Sequence, residues 1–174
     1  MSEERERIVI FVRHAHRNTE NRALDNGLSK KGEQQVQMLT EYFLRRFKKK
    51  HLKAAHFVTS PKKRCIETLT PVVQALEVDL QVSALLGEED FQGEGLLKDR
   101  IQKFLEEVQA SKDDWVICSH GDWIPEAIHH MWGMPVPLRK AGVVVFQQSA
   151  VSKAYELVEL VSLWKGFSRI LKGT

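Results

Sequence analysis

Two histidines and two arginines lie next to short apolar segments of this chain. Arg13 and His14 follow directly on an apolar run near the start of the chain, and His120 follows a second run after one serine. Arg64 comes shortly after a third run. A neutral imidazole is a nitrogen nucleophile, and guanidinium groups bind the oxygens of an oxyanion. Brought together, these residue types would carry out phosphoryl transfer.

The three apolar runs predict buried strands that position these side chains. They cover residues 8–12, 57–59 and 115–118, and their β-branched and aromatic content is typical of strands. Helical patterns alternate with the runs, which indicates an α/β fold. In such folds the carboxyl ends of parallel strands meet at one edge of the sheet, where ligands bind. We therefore expect the four side chains to converge at that edge.

Apolar spacing and capping residues predict the remaining elements. Strands are predicted at about 7–13, 56–60, 79–84, 115–119, 143–148 and 154–161. Helices are predicted at Ser29 to about Phe47, Ser60 to about Leu76, about Glu94 to Ala110 and about Asp122 to Trp132. Ser60 is the expected N-cap of the second helix, with Pro61 as its first residue, so Arg64 would lie in the first turn beside free backbone donors. From Ser162 onward we expect a helical or irregular tail.

Four sequence blocks resemble those of the histidine phosphatase superfamily, in the same order. They are Arg13-His14-Ala15, the segment from Leu28 to Gly32, the segment from Ser60 to Arg64 followed by Glu67-Thr68, and Ser119-His120-Gly121. The short chain is most similar to the small phosphohistidine phosphatase (SixA-like) branch. The resemblance implies one domain over residues 1–174. It also implies a three-layer α/β sandwich with a mostly parallel central sheet and helices on both faces.

The resemblance also implies a role for each matched residue. His14 is the expected nucleophile, which forms a phosphohistidine. Arg13 and Arg64 would bind phosphate oxygens, and His120 would donate a hydrogen bond to the transferring phosphoryl group. Gly121 would permit close approach of the backbone to the phosphate. The expected activity is hydrolysis of phosphomonoesters or phosphoramidates without a metal ion or another cofactor.

The sequence does not decide whether a general acid protonates the leaving group. An alkoxide leaves poorly and needs a proton, whereas the imidazole of a phosphohistidine substrate leaves readily. Larger members of the family place a carboxylate after the third strand, and Glu88 matches that position best. The segment Glu88-Glu89-Asp90 would equally suit a solvated acidic loop. The sequence leaves both interpretations open.

Two residues just beyond the first histidine are secondary candidates for contact with the substrate. His16 lies two residues after His14 and would face the same crevice, and Asn18 is a weaker candidate of the same kind. Each is equally compatible with a position at the edge of the crevice without contact to substrate.

Bulk properties limit the class of protein. The 174 residues suit one domain, and 43% hydrophobic with 28% charged residues describe a soluble globular chain. The net charge of +3 favours an anionic substrate and does not by itself indicate nucleic acid. Cys65 and Cys118 are expected to be buried, reduced thiols. No secretory signal and no membrane-spanning run are visible, so we expect a cytoplasmic protein that does not bind membranes. We also expect a monomer that does not bind nucleic acid. Its expected substrate is a phosphorylated protein or a small phosphate ester.

Two other classes of protein stay open at this point. A metal-dependent phosphoesterase could use His14, His16, His120 and Asp122 as ligands, although the usual string of aspartates is absent. A phosphate- or nucleic-acid-binding module without turnover would be supported by the basic run at residues 45–53.

Overall fold

One mixed sheet organises the residues that the computed structural model describes, which are 6–48, 55–88, 95–164 and 167–172. The strands are β1 (Arg7–Arg13), β2 (Ala55–Thr59), β3 (Leu80–Val82), β4 (Asp114–Ser119), β5 (Val143–Gln148), β6 (Tyr155–Trp164) and β7 (Phe167–Lys172). The helices are α1 (Lys30–Lys48), α2 (Lys63–Leu76), α3 (Leu97–Ala110) and α4 (Trp123–Trp132), with a short 3-10 turn at Ala84–Leu86.

The strand order explains how distant segments reach one edge of the sheet. It is β3-β2-β4-β1-β5-β6-β7. The first four strands are mutually parallel, whereas β5, β6 and β7 each run antiparallel to the preceding strand in the order. All strands except β5 and β7 therefore point the same way. The predicted α/β class with a mostly parallel sheet is confirmed.

Helices cover both faces of the sheet, as predicted. Successive residues of a strand point to opposite faces, so β1 buries Ile10 and Val12 on one side and Val9 and Phe11 on the other. The first side packs against Leu39 and Phe43 of α1 and Leu69 and Val72 of α2. The second packs against Phe104 and Leu105 of α3 and Trp123 and Ile128 of α4. A strand buried on both faces is held rigidly, and this fixes the position of the residues just beyond its end.

Most predicted elements lie within a few residues of their observed bounds, but α2 begins later than predicted. Its N-cap is Lys62, whose own side chain makes no capping bond. The hydroxyl group of Ser60 accepts a hydrogen bond of 3.4 Å from the Lys62 N–H and lies 2.8 Å from a histidine ring of the candidate site. Arg64 still lies in the first turn of the helix. The predicted cap of α1 is correct, since Ser29 Oγ accepts a hydrogen bond from the Gly32 N–H at 3.2 Å.

The prediction of a helical or irregular tail from Ser162 is wrong. Strand β6 continues through Trp164 and pairs with β7, so the sheet extends by one more strand. The reason lies in the alternation of the chain, since Val161 and Leu163 are buried on the same face while Ser162 between them is not. The two-residue period of a strand therefore runs past the predicted end.

Some predictions fall on residues outside the described part of the chain. These are Glu89, Asp90, the predicted start of the third helix at Glu94, and residues 49–53 of the basic run. Within the described part, no helix is both long and apolar enough to cross a lipid bilayer. Cys65 and Cys118 are free and buried, as predicted.

Candidate active site

The candidate site lies where three neighbouring parallel strands end. The parallel ladders continue one residue beyond the strands, because the His14 N–H donates to the Ser119 carbonyl at 3.1 Å and the Ser60 N–H to the Cys118 carbonyl at 3.0 Å. His14, Ser60 and His120 each follow a strand end directly, and the rings of His14 and His120 lie 5.3 Å apart between centroids. The sheet thus brings together residues that are far apart in sequence.

His14 is buried and presents the unprotonated nitrogen of its ring to a cation. Its Nδ1 lies 2.8 Å from the carbonyl oxygen of Ala15, so Nδ1 carries the hydrogen and Nε2 carries the lone pair. Nε2 lies 3.2 Å from Nζ of Lys140. Burial, together with the charges of Lys140, His120 and Arg64, lowers the pKa of His14 to about 2. The imidazole is therefore neutral at physiological pH, as a nucleophile must be.

His120 is held at both ring nitrogens. Nε2 lies 2.8 Å from the Ser60 hydroxyl, Nδ1 lies 3.3 Å from Oε1 of Glu88, and Sγ of Cys65 is 3.5 Å from Nε2. Burial lowers the pKa of His120, but the contacts with Cys65 and Glu88 outweigh it and the net effect is a raised pKa. Burial raises the pKa of the Cys65 thiol well above its ordinary value, so this thiol is neutral and the charge that favours the imidazolium belongs to Glu88.

Arg64 is buried and is contacted by two carboxylates. One amino group forms an ion pair with Glu88, and the other lies 3.4 Å from Oδ1 of Asp25. The hydrogen bond from His120 and the one from Arg64 hold the pKa of Glu88 well below its usual range, against the opposing effect of burial. Glu88 is therefore ionised, and its oxygen marks a position where Arg64 and His120 converge on an anion.

Arg13 is fixed by the chain around it. Its Nη1 donates to the Leu138 carbonyl at 2.7 Å, and its guanidinium lies against the backbone at Gly121. A Cβ at residue 121 would lie 2.6 Å from Cζ of Arg13. Glycine is therefore required here by the close approach of the Arg13 guanidinium, and the contact of Gly121 with phosphate stays a prediction.

The two secondary candidates form hydrogen bonds with other residues of the segment between β1 and α1. Nδ1 of His16 lies 2.8 Å from the hydroxyl of Ser29, and the side chain of Asn18 accepts a hydrogen bond from the Glu20 N–H at 2.9 Å. Burial and the nearby charges of Lys31 and Lys140 lower the pKa of His16. His16 thus shares the electrostatic field of the site, whereas the Asn18 side chain is engaged in its own loop.

Sequence reasoning missed three residues that contact the predicted ones. The proline after Ser60 indicates a helix cap rather than a site residue, and Asp25 lies in a polar segment, residues 17–27, that matches no motif. Lys140 belongs to no recognisable motif, and no signal in the sequence pointed to it. All three contacts join residues at least 39 positions apart, so local spacing does not encode them.

Two of the four candidate metal ligands, His16 and Asp122, each have a side-chain atom bonded to a neighbouring residue. Nδ1 of His16 bonds to Ser29, and Oδ1 of Asp122 accepts a hydrogen bond from the Trp123 N–H. Among the described residues, no three His, Cys, Asp or Glu side chains are grouped to hold a metal ion.

Comparison with known proteins adds a family and a fold. The model of the histidine phosphatase superfamily (branch 1) matches residues 9–96, just over half of the chain, which include His14, Arg64 and Glu88. No curated protein sequence matches the chain.

Several solved structures share the fold at low sequence identity. Mycobacterial glucosyl-3-phosphoglycerate phosphatase is 17% identical with a TM-score of 0.68, over 88% of this chain and 97% of its own. A mutant phosphoserine phosphatase of Entamoeba histolytica is 16% identical with a TM-score of 0.65, over 88% of this chain and 95% of its own. The Agrobacterium tumefaciens protein SixA, named as a phosphohistidine phosphatase, is 15% identical with a TM-score of 0.65, over 90% of this chain and 98% of its own.

Proposed function

The chain belongs to the histidine phosphatase superfamily (branch 1), and we propose that this phosphatase works through a phosphohistidine on His14 without a metal ion. The observation that carries the proposal is the state of His14. Its imidazole is neutral, its hydrogen is engaged at Nδ1, and its Nε2 lies among cationic side chains. A nitrogen lone pair surrounded by cations suits attack on the phosphorus of an anionic substrate.

The reaction proceeds in two displacements. In the first, the lone pair of His14 Nε2 forms a bond to phosphorus, and the bond to the leaving group breaks with its electron pair. In the second, water attacks phosphorus, the phosphorus–nitrogen bond breaks, and the neutral imidazole is regenerated. The oxygen of that water departs in the released phosphate, and its protons leave with the phosphate or pass to solvent.

The cationic side chains stabilise charge on the phosphoryl oxygens during both steps. Arg13 and Arg64 offer planar pairs of N–H donors that match phosphate oxygens. His120 supplies a further donor, and its raised pKa keeps it protonated over a wider range of pH. Such donors are fixed before the substrate arrives, so little reorganisation is needed when charge develops.

The state of Glu88 bears on the class of substrate. Its pKa lies well below the usual range, so the resting enzyme holds no proton there to give to a poor leaving group. A phosphohistidine substrate needs less help, because its leaving imidazole can take a proton from solvent. We therefore favour a phosphohistidine-bearing protein, as expected for the SixA-like branch, with a small phosphate ester as the other outcome.

The described connections around the site fit this choice. Between Gly95 and His120 the chain forms only α3 and β4, with no further helix or strand inserted over the described residues. A crevice that is not enclosed by such an insertion would admit a phosphorylated side chain carried by another protein. We also propose that residues 1–174 act as one catalytic domain, because a single sheet runs through the described part.

Trapping of the phosphoenzyme tests the proposal. Wild-type protein incubated with a radiolabelled phosphodonor and quenched in alkaline denaturant should carry label on His14, and His14→Ala should carry none and show no turnover. His130→Ala, which removes an exposed histidine on α4, should behave as wild type. Label that maps to another residue, or unchanged turnover in His14→Ala, would refute the assignment. Wild-type activity that chelators abolish would contradict metal independence.

A further inference from the structure

The loop between α4 and β5 is tied to the end of β1, and this fixes it relative to the nucleophile. We call residues 138–142 the 138–142 loop. Arg13 donates a side-chain hydrogen bond to the Leu138 carbonyl at 2.7 Å. In return, the Ala141 N–H lies 3.1 Å from the carbonyl oxygen of Arg13 and 3.2 Å from that of His14. These hydrogen bonds hold the loop against the strand end that carries His14.

The backbone of the 138–142 loop is strained beside Lys140. Ala141 has a φ of 55°, in the left-handed region that residues with a Cβ avoid. The next residue is Gly142, where a Cβ would lie 2.7 Å from the carbonyl oxygen of Arg139. Such strain persists only where the surroundings impose it, and it concentrates at functional sites. Here it accompanies the placement of the Lys140 side chain in the site.

Lys140 contacts the atom that must react. Its Nζ lies 3.2 Å from Nε2 of His14, the nitrogen that carries the lone pair. A lysine ammonium group has three N–H donors and no acceptor, so the contact is a hydrogen bond from lysine to that lone pair. In the resting enzyme, the electron pair needed for attack is therefore occupied by Lys140.

Other cations surround the Lys140 ammonium, which is half-buried. The charged and titratable groups that act on it come from β1, the segment after β1, and α2, and they are Arg13, His14, His16, Arg17, Arg64 and Cys65. Burial and the three arginines lower the pKa of Lys140 to about 8. A phosphoryl group carries negative charge into this cluster and would relieve the repulsion.

We propose that Lys140 is a further catalytic residue: its ammonium group covers Nε2 of His14 at rest and moves onto a phosphoryl oxygen when the substrate enters. This inference rests on the proposed function of His14. Lys140 transfers no proton in the step. The bond from Nε2 to phosphorus forms, the bond to the leaving group breaks, and the lysine N–H exchanges one acceptor for another. The oxygens of a phosphoryl group on Nε2 lie within reach of the same flexible side chain.

Three variants test the proposal. Lys140→Met removes the charge and keeps the length of the side chain, Lys140→Arg keeps the charge, and Arg139→Gln removes an exposed charge from the same loop as a matched control. Loss of one preorganised donor costs about 10²- to 10³-fold in kcat. We expect a loss of that order for Lys140→Met, substantial recovery for Lys140→Arg, and wild-type behaviour for Arg139→Gln. Orthovanadate, which imitates the transferring phosphoryl group, should inhibit Lys140→Met more weakly than wild type.

The pH dependence separates a catalytic lysine from a structural one. The Lys140 ammonium loses its proton as the pH rises through about 8, whereas arginine stays protonated. The ratio of the kcat/KM of Lys140→Arg to that of wild type should therefore rise with pH above that value. Titration of His120 and of the substrate affects both proteins and cancels in the ratio.

The outcomes distinguish this inference from the proposed function. If wild type traps no phosphohistidine, the proposed function fails whatever Lys140 does. If wild type traps it and Lys140→Met matches Arg139→Gln in kcat and in vanadate inhibition, only the inference about Lys140 is overturned. A flat ratio across the alkaline range would likewise overturn it.

Discussion

Replacement of Glu88 by glutamine tests what the carboxylate does in the site. The distance between Oε1 of Glu88 and Nδ1 of His120 is 3.3 Å, and the Glu88 side chain also forms an ion pair with Arg64. These contacts hold the pKa of Glu88 well below its usual range. The group therefore acts as an ionised partner of His120 rather than as a stored proton. Glu88→Gln should remove the charge while leaving the shape of the side chain.

We expect the kcat/KM of Glu88→Gln to fall by the amount that corresponds to one charge-assisted hydrogen bond. A hydrogen bond to a charged group is worth about 1.5–3 kcal/mol. At about 1.4 kcal/mol for each factor of ten in rate, its loss corresponds to roughly 10- to 150-fold in kcat/KM. Without the carboxylate, burial dominates at His120 and its pKa falls. The loss of activity on the alkaline side should therefore begin at a lower pH in Glu88→Gln than in wild type.

The assay is a series of substrates that differ in their leaving group. We would measure kcat/KM for alkyl phosphates, aryl phosphates and a phosphohistidine peptide with wild type and Glu88→Gln. An ionised partner of His120 stabilises the same phosphoryl charge in every case, so the loss should be alike across the series. Glu126→Gln is the control, because this α4 carboxylate is 39% exposed and its ion-pair partner is the surface residue Lys98.

A different pattern would refute the reasoning. If Glu88 donates a proton to the leaving group, the loss should reach about 10²- to 10⁴-fold for alkyl phosphates. It should then nearly vanish for aryl phosphates and phosphohistidine, whose departure needs little protonation. Such dependence on the leaving group would assign the general acid to Glu88 and move the protein toward small-ester phosphatases.

Three further perturbations address the cations and the nucleophile. Arg64→Ala should weaken inhibition by inorganic phosphate and slow turnover together by roughly 10- to 150-fold, since a bond to a charged group is worth about 1.5–3 kcal/mol; unchanged phosphate inhibition would place Arg64 outside the site. Gly121→Ala should displace the Arg13 guanidinium, 2.6 Å from the added Cβ, and weaken phosphate inhibition at nearly unchanged thermal stability; an identical inhibition constant would contradict this. The pKa of the His14 ring is lowered to about 2, so nuclear magnetic resonance should show no protonation of this ring between about pH 8 and 5, where an ordinary histidine titrates. A titration midpoint in that range would contradict the neutral state of His14.

Local pattern in the sequence determined the elements that carry the central residues. Apolar runs of strand length end at Arg13 and one residue before His120, and parallel strands that end together bring such residues to one edge. The placement of His14 and His120 therefore needed only the run lengths and the α/β alternation. The predicted tail from Ser162 was wrong, because the alternation of buried residues at Val161 and Leu163 continues the strand and β7 pairs with that continuation.

Only the tertiary structure decided which groups meet at the site and how they are charged. Lys140 contacts His14 across 126 positions, and Ser60 contacts His120 across 60. No periodicity relates residues so far apart, because the contact depends on how loops and strand ends pack. The protonation states also depend on packing. Burial and neighbouring charges keep His14 neutral, and hydrogen bonds from His120 and Arg64 keep Glu88 ionised. The sequence determined the residue types and the strand ends, and packing decided their partners and their charge.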